Sequence, residues 1–100
     1  MDSIRVESIA EGAAVRLTGD VTLAEAASLK KHLSKALEAP VVLLDCENLG
    51  TADLAVLQLL LAAKRLASKR GNTFRINDSG ESTLAACCAA AGLPGPASWQ

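Results

Sequence analysis

Positions 41–71 read VVLLDCENLGTADLAVLQLLLAAKRLASKRG, and this stretch decides the fold. Val41 to Leu44 is an unbroken β-branched and leucine run, which suits a strand covered on both faces. It ends in Asp45. The polar stretch Asn48 to Ala52 reads as a loop, and Asp53 stands where a helix N-cap belongs. A helix is predicted from there to about Arg70. It stops at Gly71, a residue suited to the left-handed position that ends a helix. A strand, a loop and a helix start in that order often build a site.

Working outward, residues 3 to 9 alternate as a strand, with Ile4, Val6 and Ile9 facing one way. Glu11-Gly12 is a turn signal, and Ala14 to Thr18 reads as a second strand ended by Gly19-Asp20. So short a connection implies an antiparallel hairpin. Thr22 followed by Glu25 is a capping-box pattern. Ala26, Leu29, Leu33, Ala36 and Leu37 then recur at helical spacing, opposite Lys30, Lys31, Ser34 and Lys35, and Pro40 closes that helix. Beyond Gly71, Thr73 to Ile76 reads as a fourth strand and Asp78 to Gly80 as a turn. A last helix of small residues, capped near Ser82, ends at Gly92 before an irregular tail of Pro94, Gly95 and Pro96. The order is β-β-α-β-α-β-α. Strands alternating with helices call for crossovers and a largely parallel centre, and the opening hairpin makes the sheet mixed.

The 100 residues are expected to form a single domain, 1–100. Half are hydrophobic, but only Phe74 and Trp99 are aromatic, so the core rests on Leu, Val, Ile and Ala. Ten basic residues against eleven acidic ones leave a net charge of −1, which argues against a nucleic-acid partner. Lys64, Arg65, Lys69 and Arg70 gather at one place. They read as cations at a helix C-terminus, where the helix dipole favours them, or as a surface for an acidic partner. The opening MDSIRVESI is alternating and charged, unlike a signal peptide. The longest apolar run, Leu54 to Ala63, is too short to insert in a membrane and contains Gln58. The three cysteines, Cys46, Cys87 and Cys88, show no CxxC spacing and fit reduced thiols in a cytoplasmic protein.

Chemistry is scarce. The sole histidine, His32, lies among Lys30 and Lys31 on the polar side of its helix, so no Ser-His or Cys-His pair can be drawn. No zinc spacing is present, and GTADL has one glycine and no lysine, a poor phosphate loop. Asp45 and Asp53 read either as neighbours in a cleft or as a strand terminator and a cap. The sequence therefore points to no enzyme, no cofactor and no metal. Its strongest feature is apolar excess. In the helix after Asp53 the apolar positions run almost fully round the first turns, where a surface helix needs only one stripe. Leu54, Val56 or Leu59 is left near the surface, as interaction sites are, or a neighbouring element covers it.

These residues resemble the STAS domain, the module of anti-sigma factor antagonists. Leu44-Asp45 is similar to the family's strand end. Asp53 stands for the aspartate of its Asp-Ser-Ser/Ala-Gly motif, and Gly71 falls where the helix-ending glycine belongs. Gly19-Asp20 and Ala91-Gly92-Leu93 resemble two further signatures, and the likeness covers roughly residues 3 to 94. It implies a STAS-like α/β fold, a mixed four-stranded sheet with helices mainly on one face. It also implies a non-enzymatic bacterial signalling module whose partner-binding residues are Asp20, Thr22, Thr51, Ala52, Asp53, Leu54, Ala55 and Gln58. In the antagonists the serine after the motif aspartate is phosphorylated by a kinase that is also the anti-sigma factor. Here that slot is Leu54, which has no hydroxyl, so binding is expected to be independent of phosphorylation at that position. Thr51 lies outside the slot and reads as a loop hydrogen-bonder or, less simply, as a phosphate acceptor. The partners implied are an anti-sigma kinase-like protein, a chemotaxis complex, or a transporter carrying an accessory STAS subunit, lipid-transport ATPases included.

Overall fold

The computed structural model describes residues 3–77 and 83–95. In chain order it contains strand β1 (Ile4–Ile9), strand β2 (Gly12–Val21), a short 3₁₀ turn (Leu23–Glu25), helix α1 (Ala26–Ala36), strand β3 (Val41–Ala52), helix α2 (Leu54–Lys69), strand β4 (Thr73–Asn77) and helix α3 (Thr83–Ala90). The order expected from the sequence is the order found. The turn at Asp78 to Gly80 and the cap at Ser82 lie outside the described residues.

The sheet runs β1-β2-β3-β4. β1 and β2 form the expected hairpin, registered from Ile4 opposite Leu17 to Ile9 opposite Gly12. Both remaining pairings, β2 with β3 and β3 with β4, are parallel. Gly12 is placed by close approach: a Cβ there would lie 2.1 Å from the Val41 carbonyl oxygen.

Period-two alternation sorts the strands into two faces. Ile4, Val15, Leu17, Val42, Leu44 and Phe74 point into one continuous apolar cluster with Leu29 and Leu33 of α1, Leu57 and Leu60 of α2, and Leu84 and Cys88 of α3. Each helix supplies a stripe: Leu29, Leu33 and Ala36 from α1, and Val56, Leu57, Leu60, Ala63 and Ala67 from α2. Burying each leucine is worth about 1.5–3 kcal/mol. Ala14, Leu43 and Asp45 fall on the opposite face and take no part in that cluster, so the helices pack on one side of the sheet.

Three expectations change: the faces of β3, the strand ends and the cap. Helices cover one face of β3 rather than both, and Leu43 on the other face is half-buried. β2 runs through Gly19-Asp20 to Val21, and β3 runs through the predicted loop to Ala52. The two strands keep pairing past Asp45, but with two register shifts: Arg16 and Thr18 face Asp45 and Asn48, and Gly19 and Asp20 face Leu49 and Thr51. Each shift places one extra residue in β3, a β-bulge. The bulges break the alternation, which is why CENLGTA does not look like a strand. The capping box at Thr22 forms as expected, but it caps the 3₁₀ turn rather than α1 itself. α2 ends as predicted: Gly71 takes φ +76°, and the Asn72 N–H donates to Ala67 O at 2.9 Å.

Candidate functional site

The extended ends of β2 and β3 deliver Asp20, Thr51 and Ala52 to one edge of the sheet, beside the start of α2. Thr51 Oγ1 donates to Asp20 Oδ1 at 2.9 Å, tying the two strand ends together. The Asp53 N–H donates to Val21 O at 3.4 Å and adds a last backbone link. Asp53 then serves two elements with one carboxylate. Oδ1 accepts the Val56 N–H at 3.2 Å, the expected N-cap bond. Oδ2 accepts the Leu23 N–H at 2.6 Å and pins the 3₁₀ turn against the head of α2. Within that turn, Glu25 Oε2 accepts from the Thr22 N–H at 2.7 Å and from Thr22 Oγ1 at 2.8 Å. The Thr22 backbone N–H first, and its hydroxyl second, hold the Glu25 carboxyl below its ordinary value.

The result is a braced ridge with two leucines on it. Leu54, in the slot after Asp53, is 47% exposed, and Leu23 is 68% exposed. Of the three apolar candidates on α2, Leu54 alone is exposed; Val56 is fully buried and Leu59 is half-buried. Ala55 and Gln58 continue from Leu54 and line a groove against Ala26, Ala27 and Lys30 of α1. All eight sequence-predicted residues therefore belong to one end of the fold. Leu23 was missed. Its signal was its place between Thr22 and Glu25: a large apolar side chain inside a polar capping box.

Asp45 and Asp53 are not brought together. Asp45 sits in the middle of β3, on the face away from the helices, and is the one buried charged side chain among the described residues. It is ion-paired with Arg16, accepts the Glu47 N–H at 3.1 Å and accepts from Asn77 Nδ2 at 3.3 Å. Arg16 also reaches Glu7 at 3.3 Å, and Glu7 first, then Asp45, raises the guanidinium above its usual pKa. This ladder across four strands is architecture, and sequence reasoning missed it because the register must be known first. His32 Nδ1 lies 2.8 Å from Ser28 O, bound to its own helix. Among the described residues no group of three or more His, Cys, Asp or Glu could hold a metal ion. No helix among them is long and apolar enough to cross a membrane.

The family model described as Mlab, STAS domain, matches residues 4–95. The chain belongs to the STAS domain family. Solved structures agree on the fold. An anti-sigma factor antagonist from Mycobacterium paratuberculosis superposes with a TM-score of 0.74 at 16% identity, covering 96% of this chain and 88% of that one. The Bacillus cell fate determinant SpoIIAA, in its phosphorylated form, gives 0.70 at 19% identity, with 90% and 84% covered. Mglu gives 0.68 at 16% identity over 78% of this chain, which spans only 20% of Mglu's own length. At these identities the likeness is one of fold. No curated protein matches the sequence. In this STAS domain the residue after Asp53 is the exposed Leu54.

Proposed function

We propose that this STAS domain is a non-enzymatic, cytoplasmic protein-binding module of bacterial signalling, of the anti-sigma factor antagonist type. It engages its partner through the ridge formed by Asp20, Thr22, the Thr51–Leu54 segment, Ala55 and Gln58. One observation carries the reading: Leu54 stands 47% exposed on a helix start that Asp53 braces from two directions. A large apolar side chain held in water at a rigid position costs less when another protein covers it. A phosphoryl group would set close to two negative charges at this helix N-terminus. Leucine cannot carry one, so the contact is controlled by the partner or by assembly rather than by phosphorylation at this slot.

A second reading has its own support. Leu23 is 68% exposed beside Leu54, and a ridge with two bare leucines suits a permanent interface, since obligate interfaces are more apolar than transient ones. That favours an accessory subunit of a transporter or chemotaxis complex.

The deciding variant is Leu54→Asp. The substitution is at an exposed helix start and leaves the core intact, so thermal stability stays within about 0.5 kcal/mol. Partner affinity falls by more than about 1.4 kcal/mol, a tenfold loss. The measurement is affinity capture from the native cell with wild-type and variant bait, followed by titration of the protein that co-elutes. Equal affinity for both baits overturns the ridge as the docking site.

A further inference from the structure

We infer that the groove between α1 and α2 is a second docking surface, and that its occupant is an acidic amphipathic helix of another protein. The inference rests on the reading of this chain as a protein-binding module, and it extends that binding to a groove that shares Ala55 and Gln58 with the Leu54 ridge and runs away from it. At its upper end a groove of about 330 Å³ is lined by Ala26, Ala27 and Lys30 from α1 and by Ala55, Gln58 and Leu59 from α2. A second hollow of about 150 Å³ continues it downward and shares Lys30 and Leu59 with the first; Leu33, Leu37, Ala62 and Leu66 add to its walls. From Ala55 to Leu66 the trough follows about three turns of helix, or some 16 Å.

Its shape comes from residue size. Alanines at 26, 27, 55 and 62 leave the two helices without bulk along the seam, while leucines form the floor. A third helix needs an interaxial distance of about 8–10 Å to pack into such a seam, and small residues permit it. Its apolar side chains, at every third or fourth position, would meet Leu59 and Leu66.

Charge selects the occupant. No carboxylate lines either hollow, and Lys30 lines both. Lys31 adjoins it on α1. On α2 the helical spacing that takes Gln58 to Ala62 leads on to Arg65 and Lys69, and all four cations are exposed. Among the described residues the carboxylates at the ends of α1 and α2 are Glu38, beyond the end of α1, and Glu25 and Asp53, which are both engaged in caps. A helix lying here would thus have an apolar stripe and acidic residues on both flanks, the pattern by which flanking charges choose a partner in helix–helix seams.

The alternatives fit less well. A second copy packed symmetrically through this groove would bring the same cations, Lys30 and Arg65, together from both sides. An anionic membrane surface takes protruding apolar side chains, commonly aromatic, whereas no aromatic residue lines either hollow.

The test is a fluorescence-anisotropy titration of the full chain with two labelled synthetic helices of about 18 residues. Both carry leucine at every third or fourth position; one is flanked by glutamate and the other by lysine. The glutamate helix is expected to bind, more tightly at low salt, and the lysine helix at least about tenfold more weakly. Lys30→Glu and Ala62→Glu, both at exposed positions, each weaken the glutamate helix by about tenfold or more. Leu54→Ala, which adds no charge beside the groove, leaves it within about twofold, so loss of the native partner with that same variant concerns the ridge rather than the groove. Four results overturn the groove: no saturation with the glutamate helix, equal binding of the lysine helix, binding only to phosphatidylglycerol vesicles, or a concentration-dependent dimer abolished by Ala62→Glu.

Discussion

Asp45 and Asp53 belong to the same strand–helix unit, yet they do opposite things. Asp45 is buried at mid-strand on the helix-free face, and its carboxylate is consumed by Arg16, Glu47 and Asn77 of its own fold. Asp53 stands at the edge, and both its oxygens accept backbone N–H groups that hold two exposed leucines in place. One carboxylate satisfies the interior and the other shapes the exterior. The contrast teaches that an acidic residue's role follows from which donors reach it, and that spacing in the sequence says little about those donors.

The contrast breaks or sharpens on three measurements. The largest effect belongs to Asp45→Ala. It strips acceptors from the Glu47 N–H and the Asn77 amide and leaves Arg16 with Glu7 alone, so chemical denaturation is expected to lose about 2–3 kcal/mol. Binding by the protein that remains folded is unchanged. A loss of binding in the folded fraction would erase the distinction between the two aspartates.

Asp53→Ala comes next. Removing an N-cap costs about 1 kcal/mol, and here the Leu23 N–H is released as well. The stability loss is expected to be smaller than for Asp45→Ala, while partner affinity falls, because Leu23 and Leu54 lose their brace. A stability loss equal to that of Asp45→Ala, with full binding, would put both residues in the same structural class.

The smallest effect is a pH dependence at the ridge. Glu25 is held below its ordinary value of 4.5 by the Thr22 N–H and hydroxyl. A depressed carboxyl pKa contributes stability that is fully present above the ordinary value and is lost as pH falls through the depressed one. The Tm difference between the wild type and Glu25→Gln is therefore expected to be constant near neutral pH and to shrink below about pH 4.5. A difference that does not change with pH would show that the Thr22–Glu25 contact contributes nothing to the ridge.

Much of this architecture was legible in the residues. Val41 to Leu44 announced a strand, Asp53 a cap, Gly71 a helix end and Thr22 with Glu25 a capping box, because each is a local device with local chemistry; that helices cover only one face of that strand did not show in its unbroken apolar run. Leu54 was legible as a residue left near the surface because the apolar positions of α2 exceed one stripe. The end of β3 was not, since its two bulges replace alternation with the polar pattern of a loop. The Glu7–Arg16–Asp45–Asn77 ladder needed the register of four strands. The groove needed the placement of α1 against α2, which no single segment contains. What escaped the sequence is what depends on one element meeting another.

The two extra residues in β3 also bear on how such a protein changes over generations. In an unbroken strand, inserting or deleting a residue near the tip would swap inside for outside along the rest of its length. Bulges can absorb such slips where they occur. The edge proposed for docking can therefore gain or lose a residue, while Val42 and Leu44 stay where the helices expect them.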